Sequence, residues 1–218
     1  MKPASLSTPD DYNRLLIRPD LGEKFVVSGR ARLEFSRYRF RGVFRMQYEN
    51  QILRIDFDHS SMFGALKEET SVFIGKEGIT LFDQKRGQYY DEERTDKLIR
   101  DAVGGSVEPS DIFLALLLDL PAFSEINNLR AYTERGGGWK ISGIHRKREV
   151  EISGNNKSGI EALSIGDVDG MWKGLVFYSY PGGGDNFRGY PDDIAIRTAD
   201  NFLRVNLDVQ NVKSSGSR

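Results

Sequence analysis

From Phe25 onward the chain alternates apolar and polar residues with a period of two. Phe25, Val27, Gly29, Ala31, Leu33 and Phe35 share one face, and Val26, Ser28, Arg30, Arg32 and Glu34 share the other, which predicts a long strand with one wet side. Phe40, Gly42, Phe44, Met46 and Tyr48 repeat the pattern against Arg39, Arg41, Arg45 and Gln47, and after a turn at Glu49-Asn50, Leu53, Ile55 and Phe57 continue it against Arg54, Asp56 and Asp58. Three successive amphipathic strands with short connections predict an antiparallel meander. A less regular strand at 67–74, a turn at 75–78, a strand at 79–82 and a polar hairpin at 83–87 lead into Gln88-Tyr89-Tyr90. Strands are predicted again at 129–134, 139–144, 149–153, 159–165, 171–180, 194–197 and 202–209.

Helical periodicity interrupts this twice and precedes it once. Pro9 with Asp10 and Asp11 behind Ser7-Thr8 starts a brief N-terminal helix that ends before Pro19. Leu98, Ile99, Ala102 and Val103 mark one side of a helix over 92–103, stopped by Gly104-Gly105. Pro109-Ser110-Asp111 caps Ile112-Phe113-Leu114-Ala115-Leu116-Leu117-Leu118, apolar nearly all round. At about ten residues this helix is too short to cross a bilayer, so it is buried on most sides or covers an apolar hollow. The expected fold is mainly β with inserted α: a half-open antiparallel β-barrel of about ten or eleven strands with a helical lid. Residues 1–24 form an N-terminal segment with the short helix, 25–212 a single domain and 213–218 a flexible tail, while Pro181-Gly182-Gly183-Gly184 to Gly189-Tyr190-Pro191 reads as a loop inside the domain.

Composition narrows the function classes. The 31 Lys and Arg nearly balance the 32 Asp and Glu, so no global basic field argues for nucleic acid. Cysteine is absent, which removes disulfides, thiolate catalysis and Cys-based zinc sites. The chain has no run of eighteen apolar residues and no charged-then-apolar signal segment at Met1, so it is expected to be soluble as given.

Candidate chemistry is sparse. His59 and His145 have no second histidine at ligand spacing. Asp167-Val168-Asp169-Gly170 starts like a calcium loop but lacks the glutamate at the twelfth position, and a tight turn is the expectation. Gly182-Gly183-Gly184 has no Lys-Ser/Thr after it, and Ser60-Ser61 has no nucleophile-elbow pattern around it. No catalytic residue, metal or cofactor is expected, and an enzyme is not. The arginines on the wet face of the first strands stand among few acids; they form either a solvated face or a docking surface for an acidic partner or anionic headgroups, with Arg39, Arg41 and Arg45 as the docking candidates. The connection Ser60 to Leu66 is unusual in holding Met62 and Phe63 where a polar loop is the norm.

Phe63-Gly64, the run Gly78-Ile79-Thr80-Leu81-Phe82-Asp83-Gln84-Lys85-Arg86-Gly87-Gln88-Tyr89, Asp91-Glu92-Glu93, and Val107-Glu108-Pro109-Ser110 to Leu118-Asp119-Leu120-Pro121 together resemble the LolB family of outer-membrane lipoprotein receptors. Tyr190-Pro191-Asp192-Asp193-Ile194 and Leu203-Arg204-Val205-Asn206-Leu207 resemble that family's closing strands, so the resemblance spans about 25–212. It implies the half-barrel shared with the carrier LolA and with RseB-like regulators, whose cavity holds the acyl chains of lipoproteins or a related lipid at the periplasmic face of the outer membrane. It also implies a LolA-type carrier and the membrane surface as partners, Met62 and Phe63 as a membrane-insertion loop, and a lipid anchor on a cysteine that these 218 residues do not contain. Phe35, Phe44, Met46, Leu53, Ile55, Phe57, Phe113, Leu114 and Leu117 are the candidates for lining the cavity, although such residues more often pack a solid core than line a pocket. The alternative from another class is a non-carrier barrel lipoprotein or an RseB-like sensor whose arginine face docks a protein.

Overall fold

The computed structural model describes residues 2–3, 9–16, 19, 21–35, 38–60, 67–76, 78–84, 86–90, 93–95, 97, 108–169, 173–180, 189–198 and 203–214. The elements run β1 (Lys2–Pro3), α1 (Pro9–Leu15), β2 (Phe25–Phe35), β3 (Tyr38–Glu49), β4 (Ile52–Ser60), β5 (Lys67–Gly75), β6 (Gly78–Asp83) and β7 (Gln88–Tyr90). They continue as α2 (Pro109–Leu117), a single 3-10 turn at Phe123–Glu125, β8 (Asn127–Thr133), β9 (Gly138–His145), β10 (Arg148–Asn155), β11 (Gly159–Asp167), β12 (Lys173–Ser179), β13 (Asp193–Thr198) and β14 (Leu203–Ser214). Of the helix expected over 92–103, residues 93–95 and 97 are described and are helical; the remainder, like the 61–66 connection and 181–188, lies outside the described residues.

All strands among the described residues join one open antiparallel sheet of 14 strands, in the order β1-β8-β9-β10-β11-β12-β13-β14-β2-β3-β4-β5-β6-β7. This exceeds the ten or eleven expected, partly because two-residue β1 and three-residue β7 extend the edges. Lys2 and Pro3, in the N-terminal segment, pair with Thr133 and Tyr132, and Lys213 and Ser214, expected in a flexible tail, instead end β14 by pairing with Val26 and Phe25. The sheet order is a meander begun in its middle. After β1, which forms one edge, the chain enters at β2, steps outward to β7, crosses by way of α2 to β8 beside β1, and steps back until β14 pairs with β2.

The alternation seen in the sequence sorts residues by face. Val27, Phe44, Met46, Leu53 and Ile55 are buried on the inner side, while Arg30, Arg32, Arg41 and Arg45 on the outer side are exposed. Two-residue hairpins at Asn50-Gln51 and Arg146-Lys147 place both central residues at positive φ, the geometry whose twist suits neighbouring strands. Register slips between Val209 and Asn211, between Ser153 and Gly154, and between Asn127 and Arg130 mark irregularities of the bulge type, which bend and twist a sheet. Glycine is required at two of these places: a Cβ on Gly29 would collide with the Asp208 carbonyl oxygen, and one on Gly154 with that of Gly159. The curled sheet leaves its concave face to α2, the helix that the crossover from one edge to the other carries across it.

Candidate functional site

The site begins with how α2 is held. Glu108 is its N-cap and Pro109 its first residue, and the Glu108 N–H donates to the Asp111 carboxylate at 2.9 Å. Asp111 is itself buried and faces Arg148 of β10, whose guanidinium also bonds Asp167 of β11 and approaches Glu108 at 3.7 Å. Burial raises the Asp111 carboxyl above its ordinary range, and the Glu108 N–H and the Arg148 charge pull against that shift. Asp167 is therefore part of an ion cluster that ties the start of α2 to the β10–β11 strand ends, while Val168 and Asp169 form the tight turn after it.

At the other end, Leu118 adopts the left-handed conformation and closes the helix. Carbonyls in a last helical turn lack partners within the helix. Here the Tyr178 hydroxyl of β12 donates to the Ala115 carbonyl at 2.8 Å, and the Tyr190 hydroxyl donates to the Leu116 carbonyl at 2.7 Å. Just beyond, Tyr12 of α1 donates to the Pro121 carbonyl at 2.9 Å. Burial drives the Tyr178 phenol well above its usual pKa and raises that of Tyr190 as well, so both remain protonated donors.

Between these two clamps lies an apolar cavity of about 350 Å³. Phe44 and Met46 of β3, Ile55 and Phe57 of β4, and Val72 and Ile74 of β5 line one wall. Ile165, Val176, Ile196 and Val205, from β11 to β14, line the other, and Ile112, Ala115 and Leu116 of α2 roof it. Its polar lining residues are Asp111, Arg197 and Thr198, and it reaches Leu33, Gly174 and Leu203 near strand ends on one side of the sheet. That volume falls at the lower end of small-molecule pockets. The 61–66 connection leaves β4 at Ser60 and re-enters at Lys67, at this same end of the sheet.

The structure places four of the proposed lining residues, Phe44, Met46, Ile55 and Phe57, on the cavity wall. Leu53 sits elsewhere: it is fully buried opposite Tyr48, in a plug where Tyr48 stacks on Phe25 at 5.3 Å and meets Phe113 edge-on at 6.3 Å. Phe113 and Leu114 instead line a smaller cleft of about 170 Å³ on the opposite side of α2, with Asp119, His145 and Arg148. Leu117 is part-buried against the core without touching the cavity, and the side chain of Phe35, with Met62 and Phe63, lies outside the described residues. The reason is angular: residues 112, 115 and 116 share one side of the helix and 113, 114 and 117 the other, while Asp111 borders both spaces. A helix apolar all round offers no phase from which to read this. Tyr178, Tyr190 and Arg148 were also missed, because a buried hydroxyl serving a remote carbonyl, or an arginine serving a remote carboxylate, leaves no local spacing signal.

Arg39, Arg41 and Arg45 are all exposed on the outer face, with Arg39 3.9 Å from Glu34. The His145 Nδ1 lies 3.3 Å from the Glu125 carbonyl oxygen, to which its protonated form donates, and among the described residues no three histidines or carboxylates stand close enough to hold a metal ion. No described helix is long and apolar enough to cross a membrane.

No family model and no curated protein matches the chain. Solved structures do share its fold. A LolA superfamily protein from Nitrosomonas europaea is similar with a TM-score of 0.55 at 16% identity, over 93% of this chain and 90% of that one. A domain named for outer membrane lipoprotein sorting, from Vibrio parahaemolyticus, has a TM-score of 0.52 at 8% identity, over 87% of this chain and 84% of that one. A DUF1329 family protein from Desulfovibrio piger has a TM-score of 0.59 at 9% identity, over 90% and 87% of the two chains. At these identities the likeness establishes the fold, an open antiparallel sheet of the kind seen in the LolA superfamily.

Proposed function

We propose that this protein is a lipid-binding protein of the bacterial envelope, which takes an acyl chain of a lipoprotein or a related lipid into the cavity under α2 and gives it up at a membrane. The observation that carries the reading is the cavity itself: about 350 Å³, lined among the described residues almost wholly by aliphatic and aromatic ones, with Asp111, Arg197 and Thr198 as the polar exceptions. An acyl chain needs no directed hydrogen bonds, and each methylene removed from water contributes about 0.8 kcal/mol. A peptide or polar metabolite would leave its polar groups unpaired there, at a cost of about 1–3 kcal/mol each. The names of two fold neighbours, a LolA superfamily protein and a lipoprotein-sorting domain, support the same class of cargo and an envelope location. On this reading the protein acts by binding and release, without a chemical step, and a LolA-type carrier and the outer membrane are its proposed donor and acceptor. Met62 and Phe63 are proposed to enter the bilayer during release.

The test is native mass spectrometry of the purified protein for a co-purifying lipid, together with displacement of a fluorescent apolar probe by a long-chain fatty acid. Displacement is expected, and Phe63→Asp should preserve it while slowing transfer of a labelled acyl chain to vesicles. A protein that binds neither lipid nor probe is not a carrier.

A further inference from the structure

The charges on the outer face are segregated along the strands. In the row nearest the cavity end, Arg197 of β13, Arg204 of β14, Glu34 of β2 and Arg39 of β3 are successive cross-strand neighbours. In the next row Asn206 of β14, Arg32 of β2 and Arg41 of β3 follow one another. Strands lie about 4.8 Å apart and rows about 7 Å apart, so five guanidiniums occupy a small patch. Glu34 is the one carboxylate of these two rows, bonded by Arg32 at 2.7 Å and approached by Arg39 at 3.9 Å. Arg41 and Arg204 form no ion pair among the described residues, and Arg197 lies over the ring of half-exposed Phe177 at 5.7 Å. One row farther from the cavity end acids outnumber bases: Asp193 and Asp208 are cross-strand neighbours, with Arg30 of β2 opposite Asp208, and the repulsion of Asp208 and Asp192 adds to the burial that raises the Asp193 carboxyl. Arg45 lies beyond that row, beside Asp56, so it belongs to a different and mixed surface.

We propose that Arg32, Arg39, Arg41, Arg197 and Arg204 form a docking surface for an anionic membrane, which the protein meets with the cavity end first. This rests on the carrier reading and names the surface through which the cavity reaches its acceptor. The row order selects the membrane over an acidic protein. A partner laid across the outer face would meet Asp193 and Asp208 together with the arginines, whereas a plane approached end-on meets the arginines first. Guanidinium forks fit phosphate oxygens two at a time, and an exposed phenylalanine beside an arginine suits the boundary between headgroups and acyl chains. Each basic residue near an anionic surface adds severalfold to partitioning.

Co-sedimentation with vesicles tests this, using phosphatidylcholine alone and phosphatidylcholine with about one-third phosphatidylglycerol. The wild type should bind the anionic vesicles preferentially and release them as salt rises. A triple variant, Arg39→Gln, Arg41→Gln and Arg204→Gln, should partition about a hundredfold less, while the Arg→Lys triple should retain most binding. The same loss of charge at the far strand ends, Arg135→Gln, Lys157→Gln and Lys213→Gln, should change little. Equal loss from both glutamine triples, or a wild type indifferent to phosphatidylglycerol, overturns the proposal, and the latter would leave an acidic protein as the occupant of the patch. Probe displacement measured on the same proteins keeps the two readings apart. A triple variant that binds probe normally but not vesicles supports the docking surface, and a wild type that binds vesicles without binding probe removes the carrier reading alone.

Discussion

The lid helix ends on two hydroxyl groups from remote parts of the chain. Tyr178 and Tyr190 are buried, and each supplies the donor that a last-turn carbonyl of α2 lacks. Replacing Tyr190 by phenylalanine keeps the ring and deletes the donor, leaving the Leu116 carbonyl buried and unpaired at a cost of about 1–3 kcal/mol. The phenols also set an alkaline limit. Their folded pKa values are raised by burial, and in the unfolded chain they titrate at about 10. Their contribution is therefore complete below a pH of about 10 and is lost as pH climbs from there through the raised folded values. Denaturant titrations of Tyr190→Phe should show reduced stability at neutral pH and, above a pH of about 10, a decline shallower by about 1.4 kcal/mol per pH unit. An unchanged alkaline slope would mean that the phenol is not buried in the folded protein.

At the scale of elements, the seam between β2 and β14 holds the two ends of the chain together, and Gly29 sits within it at the register slip. An alanine there drives a methyl group against the Asp208 carbonyl oxygen, which belongs to a paired strand and has little freedom to move. Gly29→Ala should cost about 3 kcal/mol, near the upper end for overpacking. Gly75→Ala, whose Cβ would meet nothing within 4 Å, should stay within about 0.5 kcal/mol. Thermal melts of the pair check this, and similar values for both would mean that the seam yields. The sequence reveals strands such as β2, β3 and β4 because alternation is a local property, visible in any window of a few residues. It does not reveal that β14 pairs with β2, since the register between segments far apart in the chain is set by packing. The same division holds for the site. Phe44, Met46, Ile55 and Phe57 could be assigned to the inner face by parity alone, whereas choosing Ile112, Ala115 and Leu116 over Phe113, Leu114 and Leu117 required the rotation of α2, which tertiary packing decides.

Across the whole molecule, a meander begun in its middle brings the first strands and the last strands to adjacent positions, and the cavity is lined from both. It therefore exists only in the assembled sheet, and a molecule bound in it must stabilise the sheet as one unit. A fatty acid at about one hundred times its dissociation constant would add about 2.7 kcal/mol, which for a chain of this size raises the melting temperature by about 5–11 °C. Ala115 is the position at which to remove that effect. Its side chain faces the cavity, while its carbonyl is fixed by Tyr178, so a larger side chain extends into the empty space rather than displacing the helix. Ala115→Leu should raise the melting temperature of the ligand-free protein by a few degrees, since atoms placed in an apolar void give the side chains around it the dispersion partners they lack. The same variant should reduce the shift produced by the fatty acid to less than half. A variant destabilised by several kcal/mol would show that the space under α2 is packed, and a wild type whose melting temperature ignores fatty acid would show that the space is not a binding site.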